Sequence, residues 1–188
     1  MRFPRSPRAA LGAFAALTAL TACGTTTGLP PAHVLNVVDT VSLSALDGTP
    51  LTAPSAYDVE LLRVVRTDLT SAYDFIFNID AAGRALLLPT GAVGLGKQSG
   101  IRVESASFDA VTDAPTSGYV DSTAVVVDSG TVAVIRSRPI QCSFGVVVFL
   151  YAKIEVLKID PVARRLDFRI LADLNCGYRQ LQPGLPTR

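Results

Sequence analysis

The chain has 188 residues, with 17 Lys and Arg against 16 Asp and Glu for a formal net charge of +1; 49% of it is hydrophobic and 18% charged. Such a chain holds ample apolar material for one ordinary domain, which argues against disorder outside its ends. It also lacks the clustered Lys and Arg that nucleic-acid binding requires, so no nucleic-acid partner is expected.

Arg2, Arg5 and Arg8 form a positive start without an acidic residue, and residues 9–20 follow as an apolar run broken only by Gly12 and Thr18. This is the pattern of a secretory signal segment. The run falls short of the roughly 20 apolar residues needed to span the hydrocarbon core. Small residues and a cysteine, Leu20-Thr21-Ala22-Cys23, close the segment. Residues 1–23 thereby resemble the signal peptide of bacterial lipoproteins, whose lipobox is a leucine, two small residues and a cysteine. The resemblance implies cleavage before Cys23, a thioether-linked lipid on its sulfur and acylation of the new amino group. The bilayer would then be a partner through acylated Cys23. Gly24 stands where lipoproteins retained in the inner membrane often carry aspartate, so the resemblance points to the outer membrane of a two-membrane cell. The plainer alternative is an ordinary signal peptide cut near Ala22, leaving Cys23 a free thiol.

Cleavage after residue 22 leaves 166 residues and removes three arginines, so 14 basic residues face 16 acidic ones, net −2. With Cys23 assigned to lipid, Cys142 and Cys176 remain as an even pair in an oxidising compartment, where a disulfide is expected; two buried free thiols are the alternative.

Residues 23–36 comprise the lipidated cysteine and a polar, Pro- and Gly-broken tether. Residues 34–46 read as a half-buried strand, with Val41, Leu43 and Ala45 alternating with Ser42 and Ser44, ending at the turn Asp47-Gly48-Thr49-Pro50. Residues 55–67 fit either a helix, with Ser55 and Asp58 near its start, or a strand. Residues 73–80 alternate cleanly and turn at Ala81-Ala82-Gly83-Arg84 into residues 85–88, a hairpin. Residues 101–108 make another strand, and residues 114–118 a loop. Residues 124–127 and 131–137 flank Asp128-Ser129-Gly130 as a second hairpin. The longest β run is 144–160, in which the apolar phase slips by one residue near Val156, the mark of a β-bulge. A turn at Pro161-Val162-Ala163-Arg164 leads into a last strand over 166–171, and residues 182–188 read as a loose tail. Residues 75–86 and 154–166 share one pattern of strand, Ile-Asp, arginine-bearing turn and strand. A straight final hairpin would leave Cys142 about 23 Å from Cys176, so the pair can join only if the chain folds back between Cys142 and Phe149, with Gly145 the expected bend, or if the segment after Asp173 doubles back.

Candidate chemistry is thin. Gly91-Ala92-Val93-Gly94-Leu95-Gly96-Lys97-Gln98 nearly matches a P-loop, but Gln98 replaces the hydroxyl residue and a β-patterned run follows where a helix must open. A glycine-rich β-loop is expected there, and no nucleotide. His33, the one histidine, lies in the tether, away from any nucleophile. Asp109, Asp113 and Asp121 could bind calcium, but without a compact loop pattern they read as solvated turn residues. Three glutamates and no tryptophan give little support to paired-carboxylate sugar chemistry. Asn175-Cys176-Gly177-Tyr178-Arg179 reads as a disulfide-anchored turn, or as the lining of a small site through Tyr178 and Arg179. No catalytic residue, cofactor or metal ligand is assigned.

The expectation is therefore a signal peptide over 1–22, a lipidated tether over 23–36, a β-rich domain over 37–181 and a tail over 182–188. The domain should be all-β, a single antiparallel β-sandwich or partly closed barrel of about seven to nine strands built from hairpins, with at most one short helix. The expected function is that of a membrane-anchored envelope lipoprotein acting as a non-enzymatic binding or structural module, with an envelope protein as further partner. The alternatives are a carrier holding a small apolar ligand in a barrel-like cavity and a carboxylate-based hydrolase.

Overall fold

Alternating apolar and polar residues become ten antiparallel strands in a computed structural model that describes residues 30–142 and 145–187. The lipobox and Cys23 lie outside the described residues. The strands are β1 (Val38–Ser44), β2 (Ala56–Asp58), β3 (Arg63–Val65), β4 (Phe75–Ile79) and β5 (Ala85–Pro89), then β6 (Gly100–Glu104), β7 (Val125–Val126), β8 (Val132–Gln141), β9 (Val147–Asp160) and β10 (Arg165–Asp173). They form two five-stranded sheets, ordered β1-β10-β9-β8-β6 and β3-β2-β4-β5-β7. The two sheets stack as a sandwich and do not close into a barrel, and the strand count is ten rather than seven to nine. The described residues contain no α-helix; one short 3-10 turn, Thr90–Val93, follows β5.

Period-two burial explains the stacking. In β9, Leu150, Ala152 and Ile154 point between the sheets, while Tyr151, Lys153 and Glu155 point away. Tyr57, Phe75 and Phe168 meet at the centre with ring centroids 5.7–5.9 Å apart. The β9–β10 register shifts between Asp167 and Phe168, leaving Leu157 unpaired, so the bulge falls one residue from Val156. Two further apolar clusters lie outside the sandwich. Phe108, Val111, Ala114 and Leu181 cover the outer side of the first sheet against Val132, Val134 and Leu171. Val93 and Leu95 of the glycine-rich loop pack near Ile76 on the second.

The 75–89 hairpin forms as expected, and Asp80 Oδ1 caps its turn by accepting the amides of Ala82 and Arg84, both at 2.9 Å. Asp160 caps the 160–165 turn in the same way, through the amides of Val162 and Ala163. Three segments depart from expectation. Residues 55–67 are neither one helix nor one strand but a tight hairpin, β2–β3, turned at Leu62 with φ +49°. Residues 124–137 turn at Asp128-Ser129-Gly130 but do not make a hairpin: β7 joins β5 in one sheet and β8 joins β9 in the other, so the turn is a corner between sheets. The last departure is at the termini. Residues 33–36 are docked rather than free, and the tail folds back, with the amides of Asn36 and Gly184 each donating to the other's carbonyl, at 2.8 and 3.0 Å.

Candidate functional site

The most distinctive local sequence, Asn175-Cys176-Gly177-Tyr178-Arg179, is where three parts of the chain converge. Cys142 and Cys176 are joined, with Cα atoms 6.1 Å apart. Their approach requires the chain to reverse between β8 and β9, and it does so where foreseen. Gly145 adopts φ +75°, and the Cys142 amide bonds the Val146 carbonyl at 2.8 Å. The adjoining Phe144 lies outside the described residues.

Asn175 is fully buried. Its Oδ1 accepts the amides of His33 and Val34 at 2.8 and 3.0 Å, and its Nδ2 donates to the Val34 carbonyl and to Asp173 Oδ1. Tyr178 Oη donates to the Pro30 carbonyl at 3.0 Å. Arg179 donates to the Ala114 carbonyl and lies over the Tyr151 ring. Gly177 takes the expected left-handed conformation, φ +84°. The string is thus a disulfide-anchored turn whose side chains strap the N-terminal segment and the 108–120 loop to the first sheet. His33 contributes its backbone amide to that strap.

The remaining sequence candidates are dispersed. In the glycine-rich loop, Thr90 and Ser99 pair across the base through their hydroxyls and amides, at 3.0–3.2 Å, and β6 begins at Gly100. No helix opens there, so the phosphate-binding geometry of a P-loop is not built. A Cβ on Gly91 would stand 2.1 Å from the Asp121 carbonyl oxygen, so close backbone packing is what demands glycine. Asp121 faces Lys97 at 3.7 Å, Asp113 takes the Thr112 hydroxyl at 2.9 Å, and Asp109 lies in the field of Lys153. Among the described residues no three His, Cys, Asp or Glu gather as a metal-binding group.

Sequence reasoning missed two buried polar assemblies. Asp58 and Asp74, both essentially inaccessible, face Arg138 from the opposite sheet. Arg138 Nη2 donates to Asp58 Oδ1 at 3.2 Å and the Arg138 amide to Asp74 Oδ1 at 2.6 Å; Asp74 Oδ2 accepts the Val59 amide at 2.7 Å. Burial pushes the Asp74 carboxyl above its ordinary value, and Arg138 opposes the rise. Pro139 interrupts the β8–β9 register at this point, and Ser137 Oγ accepts the Leu150 amide in place of a ladder bond. Each oxygen of Asp74 is engaged by a backbone amide, so the pair acts as a clamp between sheets rather than a poised acid and base.

The second assembly is under the 108–120 loop. Lys153, 2% exposed, donates to the carbonyls of Phe108 and Val111 at 2.6 and 3.0 Å and lies 4.4 Å from the Phe108 ring centre. Burial lowers its pKa. Beside it, Arg136 stacks between Tyr119 and Phe149 at 5.2 and 4.8 Å from their centres. The signal available in the sequence was the apolar character of Val132, Val134, Tyr151 and Leu171 on a face that alternation assigns to solvent.

No protein-family model matches the chain, and no curated protein matches it in sequence.

Proposed function

We propose that this chain is a membrane-anchored envelope lipoprotein whose β-sandwich serves as a non-enzymatic binding or structural module, held to the bilayer by acylated Cys23 and facing an envelope protein partner. The observation that carries the reading is the division of the three cysteines. Cys142 and Cys176 form one bond within the domain, which leaves Cys23, in the lipobox string Leu20-Thr21-Ala22-Cys23, as the odd thiol. A disulfide also accords with an exported, oxidising location. Several acyl chains on one residue anchor firmly, because each buried methylene contributes about 0.8 kcal/mol. The outer membrane is the favoured site where the cell has one.

The polar assemblies support a structural reading of the domain. Both oxygens of Asp74 and the Lys153 ammonium bond to the protein's own backbone. Nothing in the sandwich favours the carrier alternative, whose ligand would need space that Tyr57, Phe75 and Phe168 fill.

The intact mass of the mature protein, purified from its native envelope, tests the anchor. We expect an N-terminal Cys23 carrying a diacylglycerol and an amide-linked acyl chain. Retention of Met1, or an unmodified N-terminal residue, would overturn the reading. Affinity capture of the acylated form from the same envelope tests the module: a specifically retained, identified envelope protein is the expected result, and capture of neither protein nor small molecule counts against it.

A further inference from the structure

The two ends of the sandwich differ in what they present. One end holds the turns after β4 and β9, which Arg164 ties together by donating to the Ile79 and Asp47 carbonyls. Its turns carry Asp80, Arg84, Asp160, Arg164 and Arg165, with close ion pairs such as Arg84 to Asp80 at 2.7 Å. The other end holds the β8–β9 hairpin tip, the disulfide and the point where the described chain begins. Here Val146 and Val147 are 57% and 63% exposed, and Leu35, Val37 and Leu185, around the Asn36–Gly184 pair, are exposed as well. Exposed apolar residues occur at both ends, since Val162 among the charged turns is 94% exposed, so it is the place where the chain leaves the domain that selects between them.

Chain geometry selects what that surface meets. Pro30 is fastened to Tyr178, and Cys176, two residues earlier, is bonded to Cys142 beside the tip. The N-terminal segment therefore leaves the domain at the end that carries the Val146–Val147 tip. Seven residue steps separate Cys23 from Pro30, a reach of at most about 25 Å even when fully extended. β9 alone, 14 residues long, spans about 45 Å at roughly 3.3 Å per residue. A lipid on Cys23 thus holds the apolar tip near the bilayer and leaves the charged turns far from it.

We infer that the Val146–Val147 tip of the β8–β9 hairpin, with the apolar residues around the chain exit, docks on the lipid surface and sets the domain upright on the membrane. The inference rests on the lipoprotein reading and adds to it a second, non-covalent contact with the bilayer. The tip is too small to bind a membrane alone. Tethering raises its effective concentration at the surface, so that a weak apolar insertion becomes populated without further affinity.

The chain contains no tryptophan, so a single introduced one reports its own surroundings. The acylated full-length protein carrying Val147→Trp is reconstituted into phosphatidylcholine vesicles with brominated acyl chains, and compared with Val162→Trp at the opposite end, where Val162 is 94% exposed. The expected result is a blue-shifted emission from the Val147→Trp protein that loses most of its intensity to the brominated lipid. Emission from the Val162→Trp protein should stay unshifted and unquenched. Val146→Trp repeats the reading at the neighbouring position should Val147→Trp fold poorly. Acylated protein in which the tip tryptophan stays unquenched overturns the docking and leaves the anchor standing. A mature mass without acyl chains, with an unquenched tip, overturns both. Equal quenching at both ends overturns the upright arrangement.

Discussion

At the scale of single residues, the charges at the sheet crossing are the most consequential. Asp58, Asp74 and Arg138 bring opposite charges out of water together, and Arg138 compensates two inaccessible carboxylates at once. Removing one partner of a buried ionic group leaves the other uncompensated, which costs about 3–5 kcal/mol. Arg138→Met should therefore lower the melting temperature by roughly 10 °C, since each kcal/mol moves a domain of this size by about 2–4 °C. The pH dependence carries the sign. The Asp74 carboxyl sits above its unfolded value of 3.8 because it is buried. Its contribution to stability is therefore fully present below pH 3.8 and is lost as pH rises through the raised folded value. Arg138 holds that rise in check, so the variant should widen the window. The difference in unfolding free energy between wild type and Arg138→Met, followed by urea denaturation, should be smallest in acid and largest near neutrality. A difference that does not vary with pH would mean that Asp74 is not the group Arg138 compensates.

Elements were legible wherever one sheet face stays wet and the other dry. Phe75, Phe77 and Ile79 announced β4 because each faces the other sheet, and Leu157 betrayed its bulge because the apolar phase on either side of it belongs to one buried face. Legibility failed where contacts distant in sequence decide. Ala56 to Asp58 pair with Val65 to Arg63 and with β4, an outcome that Ser55 and Asp58 as helix-start residues could not disclose. Asp128-Ser129-Gly130 is a turn by its own chemistry, but whether its flanking strands pair or part depends on β5 and β9. The disulfide belongs to this scale as well, because it fastens the β8–β9 tip to the end of β10. It closes a loop with a sequence separation of 34, and a loop of that length is worth about 4 kcal/mol in the chain-entropy model. The double variant Cys142→Ala, Cys176→Ala should lose about that much stability to urea while keeping the β9–β10 ladder, which amide exchange can follow. Unchanged stability would show that the reversal at Gly145 holds the tip by itself.

At the scale of the whole molecule, the two-sheet class was readable because alternation is a property of every strand. The candidate strap was only half readable. Asn175-Cys176-Gly177-Tyr178-Arg179 stood out as a string, but its partners, His33, Val34 and Pro30, are more than 140 residues away, and no local pattern names them. In the proposed lipoprotein, that strap would decide where the anchor takes hold. If residues 30–36 were free, the rope from Cys23 to the first strand would be twice as long and the domain could turn either end to the bilayer. With Tyr178 holding Pro30 and Asn175 holding the amides of His33 and Val34, the strapped part of the chain begins at Pro30. Asn175→Ala removes four hydrogen bonds at one buried position and orphans the His33 and Val34 amides. It should cost about 1–2 kcal/mol, because His33 lies exposed and its freed amide can turn to water, but its sharper readout is local. In the native protein the His33 and Val34 amides should exchange slowly with solvent, and in the variant they should exchange at the rate of open chain while β9 and β10 stay protected. On vesicles, Asn175→Ala combined with Tyr178→Phe, which also releases Pro30, should weaken the difference between the two ends, because a longer rope no longer dictates which one meets the lipid. Fast exchange at His33 and Val34 in the native protein would show instead that the segment is not strapped, and the short reach from Cys23 would no longer hold.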